Sequence, residues 1–187
     1  MVKRANKIAG LLMRTITHKA VSIMIPLFKA LVRPILEYGN VVWSPYLKKH
    51  INEIESVQRR FTKKIIGLSD LEYEDRLRKL RLPSLEYRRL QGDMIEVYKI
   101  LQNIYDPCTT KTLLTLSGNE ITRGHKYKLT KIFTNTRSYQ KFFTIRVTNL
   151  WNKLPPEIVS ASSLNTFKNL LDNHMKYQMY STNLTEL

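Results

Sequence analysis

At 187 residues, with 43% apolar and 25% charged side chains, the chain is long enough for one large domain or two small ones, and its six glycines are too few for an all-β fold rich in tight turns. Its 31 Lys and Arg against 15 Asp and Glu leave a formal charge of +16 and a pI near 10.0. Such an excess repels itself unless a polyanion screens it, nucleic acid being the commonest and an acidic membrane surface the second.

One cysteine, Cys108, excludes an internal disulfide and a Cys-rich zinc site and favours a reducing compartment. Residues 1–10 are polar and charged, unlike a signal peptide. No stretch reaches the roughly 18 apolar residues that a membrane span needs, so an intracellular location, nucleus or cytoplasm, is expected.

In chain order, residues 3–18 read as an amphipathic helix with Ala5, Ile8, Leu12 and Ile16 on one face and Lys3, Arg4, Lys7 and Arg14 on another. A second helix is predicted over 22–38, with Ile23, Leu27, Leu31, Ile35 and Tyr38 inward. Pro26 falls near its first turn, and Pro34 kinks or ends it. Gly39-Asn40 is a stop signal and Ser44-Pro45 a turn. The clearest helix spans 47–67, with Leu47, Ile51, Ile54, Val57, Phe61 and Ile65 in one stripe, Arg59, Arg60, Lys63 and Lys64 on the opposite side, and Gly67 as C-cap.

A short helix follows at 72–80, with Tyr73, Leu77 and Leu80 inward, and Ser84 caps a longer one over 85–104 that buries Tyr87, Leu90, Met94, Val97, Leu101 and Ile104. Residues 105–124 read as a linker. Alternation of Tyr127, Leu129 and Phe133 with Lys126, Lys128 and Ile132 suggests a strand. Helical spacing returns over 139–153 (Phe143, Val147, Leu150, Trp151, Leu154) and ends at Pro155-Pro156. Ser162 or Ser163 starts a last helix with Leu164, Phe167, Leu170 and Leu171 inward, and the tail after Lys176 reads as frayed.

Charge is uneven. Residues 1–36 carry seven basic groups and no acid; residues 121–156 carry eight, again with no acid; residues 48–99 are mixed, thirteen basic and nine acidic. The acid-free stretches are candidate phosphate-facing surfaces, and the mixed one is ordinary helix surface. Carboxylates grouped for divalent metals are missing: the cluster of Asp70, Glu72, Glu74 and Asp75 suits the positive end of a short helix instead. There is no phosphate loop, no HExxH and no GxSxG, and His18, His50, His125 and His174 lack ligand spacing and read as surface residues.

Several runs fall in a familiar order: Arg33-Pro34-Ile35-Leu36-Glu37-Tyr38-Gly39 after Leu27-Phe28-Lys29-Ala30-Leu31-Val32, then Val42-Trp43-Ser44-Pro45-Tyr46, Ile54-Glu55-Ser56-Val57-Gln58-Arg59-Arg60-Phe61-Thr62-Lys63, Tyr87-Arg88-Arg89-Leu90-Gln91-Gly92-Asp93-Met94, Leu150-Trp151-Asn152-Lys153-Leu154-Pro155 and Ser163-Leu164-Asn165-Thr166-Phe167-Lys168. Over nearly its whole length the chain resembles the C-terminal part of reverse transcriptases from non-LTR retrotransposons, of the Jockey and chicken-repeat kind. The resemblance implies a thumb and the segment after it, downstream of the polymerase palm. The family's catalytic aromatic-Ala-Asp-Asp motif has no counterpart here, since no two aspartates are adjacent. Its endonuclease domain and the Cys/His knuckle of some relatives have none either, so no catalytic residue carries over.

The expected fold is therefore mainly α, a bundle of about five to seven helices with a short β hairpin or strand near 125–135. The expected organisation is a thumb-like domain over 1–104, a linker over 105–124, a small basic subdomain over 125–176 and a frayed tail over 177–187. Candidate nucleic-acid-binding residues are Lys3, Arg4, Lys7, Arg14, Arg59, Arg60, Lys63, Lys64, Arg123, Lys126, Lys128, Lys131, Arg137, Tyr139, Lys141, Phe142 and Arg146. Phe143 and Trp151 read as core. The expected role is non-catalytic holding of RNA or an RNA–DNA duplex by its backbone, with no cofactor, no metal and no membrane. The alternatives are a protein-interaction module that docks on a polymerase palm or another partner, and a decayed retroelement reading frame.

Overall fold

The computed structural model describes residues 1–106, 108, 113–118, 125–136 and 138–182. Among these, seven α-helices have seven or more residues, and the chain is mainly α. Two compact units divide it: Met1–Arg89 with Tyr177–Glu186, and Leu90–Lys176. The division falls inside a helix, at Leu90; much of the expected linker over 105–124 lies outside the described residues.

The first unit contains α1 (Val2–Thr15), α2 (Val21–Leu27), α3 (Arg33–Glu37), α4 (Asn40–Trp43), α5 (Lys48–Lys63), α6 (Tyr73–Leu80) and the start of α7 (Leu85–Leu101). Small Ala5 and Ala9 let α1 lie close in one core with Ile54, Val57 and Phe61 of α5. The Phe28 ring meets Phe61 at 4.8 Å between centroids.

The stripe expected over 22–38 is shifted by one. Met24, Phe28, Val32 and Leu36 are buried, whereas Ile23, Leu31 and Tyr38 are exposed. A π-helical turn, Phe28–Val32, separates α2 from α3. Pro34 has no N–H to offer the Ala30 carbonyl and crowds it, and the wider i→i+5 turn just before it accommodates that loss. With more residues per turn, side chains four apart stay on one face, so the buried set recurs every fourth position.

A second network is polar and buried. The Glu55 carboxylate on α5 accepts from the Tyr73 hydroxyl of α6 at 2.5 Å and from the Leu85 N–H at the start of α7 at 3.0 Å. It thereby satisfies a helix N-terminal donor that has no partner within its own helix. Ser84 caps α7 as expected, its hydroxyl accepting from the Tyr87 N–H at 3.1 Å. Buried Arg76 closes the other end of α5, donating to Thr62 Oγ1 at 3.3 Å and to the Arg59 carbonyl at 3.4 Å. Residues 177–182 pack back onto this unit, where the Met179 carbonyl accepts from the Ser84 N–H at 3.0 Å and Tyr180 lies against the core.

The second unit holds the rest of α7, α8 (Phe143–Lys153), α9 (Pro156–Val159) and α10 (Leu164–His174). Ser163 caps α10, its hydroxyl accepting from the Thr166 N–H at 3.1 Å. Trp151 and Phe167 are fully buried. Tyr98 stacks on Phe167 at 4.4 Å and donates its hydroxyl to the Ala161 carbonyl at 2.8 Å.

The expected β hairpin near 125–135 is not seen. One antiparallel bridge joins Leu116 and Leu129. The reason is local. The other edge of Leu129 is taken by a side chain: Asn152 Oδ1 accepts from the Leu129 N–H at 2.8 Å, and Asn152 Nδ2 donates to the Leu129 carbonyl at 2.9 Å. The amide on α8 stands where a neighbouring strand would pair.

Burial, the largest influence, raises the Glu55 pKa, while Tyr73, Leu85 and the Arg89 charge pull it down. A carboxyl raised on folding contributes stability that is fully present below its unfolded pKa and lost as pH rises through the folded value. Glu55→Gln cannot ionise. The stability difference between wild type and this variant, read by denaturant unfolding at constant ionic strength, should therefore shift in the variant's favour from about pH 4 to neutrality. Glu55→Ala, which strands the Tyr73 hydroxyl and the Leu85 N–H, should cost about 2–4 kcal/mol in the same measurement.

Candidate nucleic-acid interface

Lys3, Arg4, Lys7 and Arg14 are all exposed on α1, turned away from the core that Ala5, Ala9 and Leu12 enter. Their grouping follows from the 100° step of the helix, which sends every charged position of this segment to the side opposite the apolar one. On α5 the same rule exposes Arg59, Arg60, Lys63 and Lys64. The structure divides three of them, Arg59, Arg60 and Lys63, between two neighbours.

Arg60 turns toward α1. Its Nη2 donates to Asn6 Oδ1 at 3.2 Å and to Ser56 Oγ at 3.1 Å, and its Nε donates to the Ser56 carbonyl. Asn6 adjoins Lys7 and lies one turn from Lys3, so Arg60 and the α1 cations share an exterior. Arg59 turns the other way and stands over the Tyr73 ring at 4.9 Å. Arg59 and Lys63 line a cleft together with Asp70, Glu72, Glu74 and Asp75, so acidic neighbours partly offset their field.

Close pairs among the described residues join Arg33 and Arg88 to Glu37, His50 (when protonated) to Glu53, Arg78 to Glu74 and Asp75, Lys99 to Glu96, and Arg146 to Asp93. None involves Lys3, Arg4, Lys7, Arg14, Arg59, Arg60, Lys63 or Lys64. These eight cations are thus surface charges with no bound carboxylate among the described residues.

In the second unit, Lys126, Lys131 and Lys141 are exposed and Lys128 is half-buried. Arg123 and Arg137 lie outside the described residues. Arg146 is built into the unit: Nε and Nη2 grip the Asp93 carboxylate at 2.9 and 2.8 Å, and only 16% of the side chain is exposed. Most of its charge is spent on that pair.

Tyr139 and Phe142 are both half or more exposed, with ring centroids 5.2 Å apart. Trp151 is core as expected, and Phe143 is half-buried under the Arg146 guanidinium. The sequence reading passed over Asn6 as a bridge to Arg60; Phe133, one of the aromatics interleaved with the basic residues of 121–156, has a ring that is 92% exposed. The alternation around Phe133 reads as a strand, a pattern that says nothing about exposure once no strand forms.

His125, expected at the surface, is buried. Its Nε2 donates to the Trp151 carbonyl at 3.1 Å and its ring meets Trp151 edge-on. Burial depresses its pKa and keeps it neutral. Cys108 is exposed, and its N–H donates to Asp106. Among the described residues, no three His, Cys, Asp or Glu side chains gather in a group able to hold a metal ion, and no helix is long and apolar enough to cross a membrane.

The two kinds of cation separate experimentally. Arg146→Gln breaks a mostly buried pair and strands Asp93, so it should destabilise the fold by about 3–5 kcal/mol. Lys7→Gln and Lys63→Gln should each stay within about 0.5 kcal/mol of wild type in the same denaturant titration. Comparison of the chain with protein-family models, with curated proteins and with solved structures finds no match.

Proposed function

We propose that the chain is a non-catalytic piece of a retroelement-derived RNA-directed DNA polymerase that holds RNA or a primer–template duplex by its backbone. The observation that carries this reading is the shared exterior of α1 and α5. There Arg60 is hydrogen-bonded to Asn6 of α1, the helix that also exposes Lys3 and Lys7, and among the described residues none of the three cations is ion-paired with a carboxylate. Phosphates spaced along a nucleic-acid backbone match such a surface, and contacts of this kind position a duplex without reading its sequence. The order of motifs shared with the C-terminal region of non-LTR reverse transcriptases supports the same role, a thumb working beside a palm supplied elsewhere. Such a protein acts in the nucleus or cytoplasm, where its nucleic acid is.

A second reading has its own support. Val21, Ile23, Leu31, Tyr38 and Val42 are all more than 40% exposed along α2–α4. This run of apolar side chains suits a protein partner such as a polymerase palm.

Binding to a labelled RNA–DNA duplex should be micromolar or weaker, indifferent to sequence and steeply weakened by salt. Replacing Arg59, Arg60, Lys63 and Lys64 together by Gln should flatten the plot of log affinity against log salt by about two to four units, measured by fluorescence anisotropy. Binding that ignores salt, or no binding at low ionic strength, would leave the protein-docking reading in its place.

A further inference from the structure

In the second unit, two adjoining clefts share Lys131 and Asn149. One runs past Lys128, Asn152 and Lys153, the other past Phe133, Gln140 and Lys141, and the described residues that line them include no carboxylate. Gln140 Nε2 donates to the Thr134 carbonyl at 3.0 Å, tying the strand-like segment that bears Phe133 to the turn that bears Tyr139 and Phe142. That turn is a single 3₁₀ segment, Tyr139–Lys141, at the head of α8. Phe133 lines the second cleft and is 92% exposed, and Tyr139 and Phe142, 50% and 60% exposed, flank Gln140 and Lys141, which line the same cleft.

Large rings in water are costly unless a partner covers them. Exposed lysines such as Lys131 and Lys153 attract a polyanion, and rings standing clear offer their faces to flat bases. We infer that this groove takes an unpaired stretch of nucleic acid, with phosphates along Lys128, Lys131 and Lys153 and exposed bases stacked on Phe133, Tyr139 and Phe142. The assignment rests on the chain's binding nucleic acid at all, and adds to it a preference for single strands. In a duplex the faces of the bases are already stacked on one another, so the rings gain nothing from it and only the lysines act. An apolar protein segment or a lipid surface would gain equally from leucine in place of the rings, whereas base stacking needs the aromatic face.

Anisotropy with a single-stranded oligouridine and with an RNA–DNA duplex of similar charge tests this on the full chain. Phe133→Ala, Tyr139→Ala and Phe142→Ala should each weaken oligouridine binding by about fivefold or more and leave duplex binding and the salt slope unchanged. Phe133→Leu should weaken it as Phe133→Ala does, while circular dichroism stays that of wild type. Lys131→Gln with Lys153→Gln should instead lower the salt slope for both ligands. The inference falls if the ring variants bind oligouridine like wild type, if they weaken both ligands equally, if Phe133→Leu restores binding, or if phosphatidylserine vesicles bind as tightly as the oligonucleotide. Should the ring variants be silent while the Arg59, Arg60, Lys63, Lys64 variant still loses its salt slope, this inference fails alone. Absence of binding to either ligand at low salt overturns both readings.

Discussion

Glu55 sits at the junction where three helices of the first unit meet, almost wholly removed from water, with its carboxylate held by the Tyr73 hydroxyl and the Leu85 N–H. Apolar packing is non-directional and would let α6 and α7 slide or turn against α5. A buried acceptor with two fixed donors allows one arrangement only, because any other strands a polar group in a low dielectric. Burial and the neighbouring Glu55 both push the Tyr73 phenol upward, which keeps its proton on and its role as donor intact. The orientation of α5 follows, and with it the direction in which Arg59, Arg60, Lys63 and Lys64 point.

The same constraint explains why some cations of this strongly positive chain are structural and others lie on the surface. Arg76 donates to the carboxyl-terminal turn of α5 from a buried position, and Arg146 is clamped on Asp93. Both fill gaps that an apolar side chain cannot fill, since carbonyl and carboxylate oxygens there require donors. The α1 cations and Arg60 have no such duty beyond one amide and one serine, so their field extends into solvent. A count of basic residues overstates the polyanion-facing charge, and the difference lies in which carboxylates and carbonyls the fold brings within reach.

Local regularity breaks at two places, for related reasons. At Pro34 the backbone lacks a donor, and the chain widens to a π turn. At Leu129 the backbone has both groups available but meets a side-chain amide before it meets a strand. In each case backbone hydrogen bonding is completed by the nearest compatible geometry rather than by the ideal repeat. The second case leaves the Phe133 segment outside any strand and exposed, beside Lys131 and Lys141.

Helical spacing alone placed α1, α5, α6, α8 and α10 and most of their buried positions. Apolar side chains every third or fourth residue must share one face, and Ser84 and Ser163 carry their capping chemistry in their own side chains. The outward set of cations on α1 was legible for the same reason. Four things were not: the one-residue shift of the α2–α3 stripe, the Asn152 amide that pairs with Leu129 where a hairpin was expected, the burial of His125 and the division of the α5 cations between α1 and α6. Each depends on a partner distant in the chain or on a donor missing from the backbone. Local spacing determines which side of a helix is apolar. Only packing of helix on helix decides which polar side chain meets a carboxylate, which meets a carbonyl and which is left to face water, because those partners come together through the fold and not through proximity along the chain.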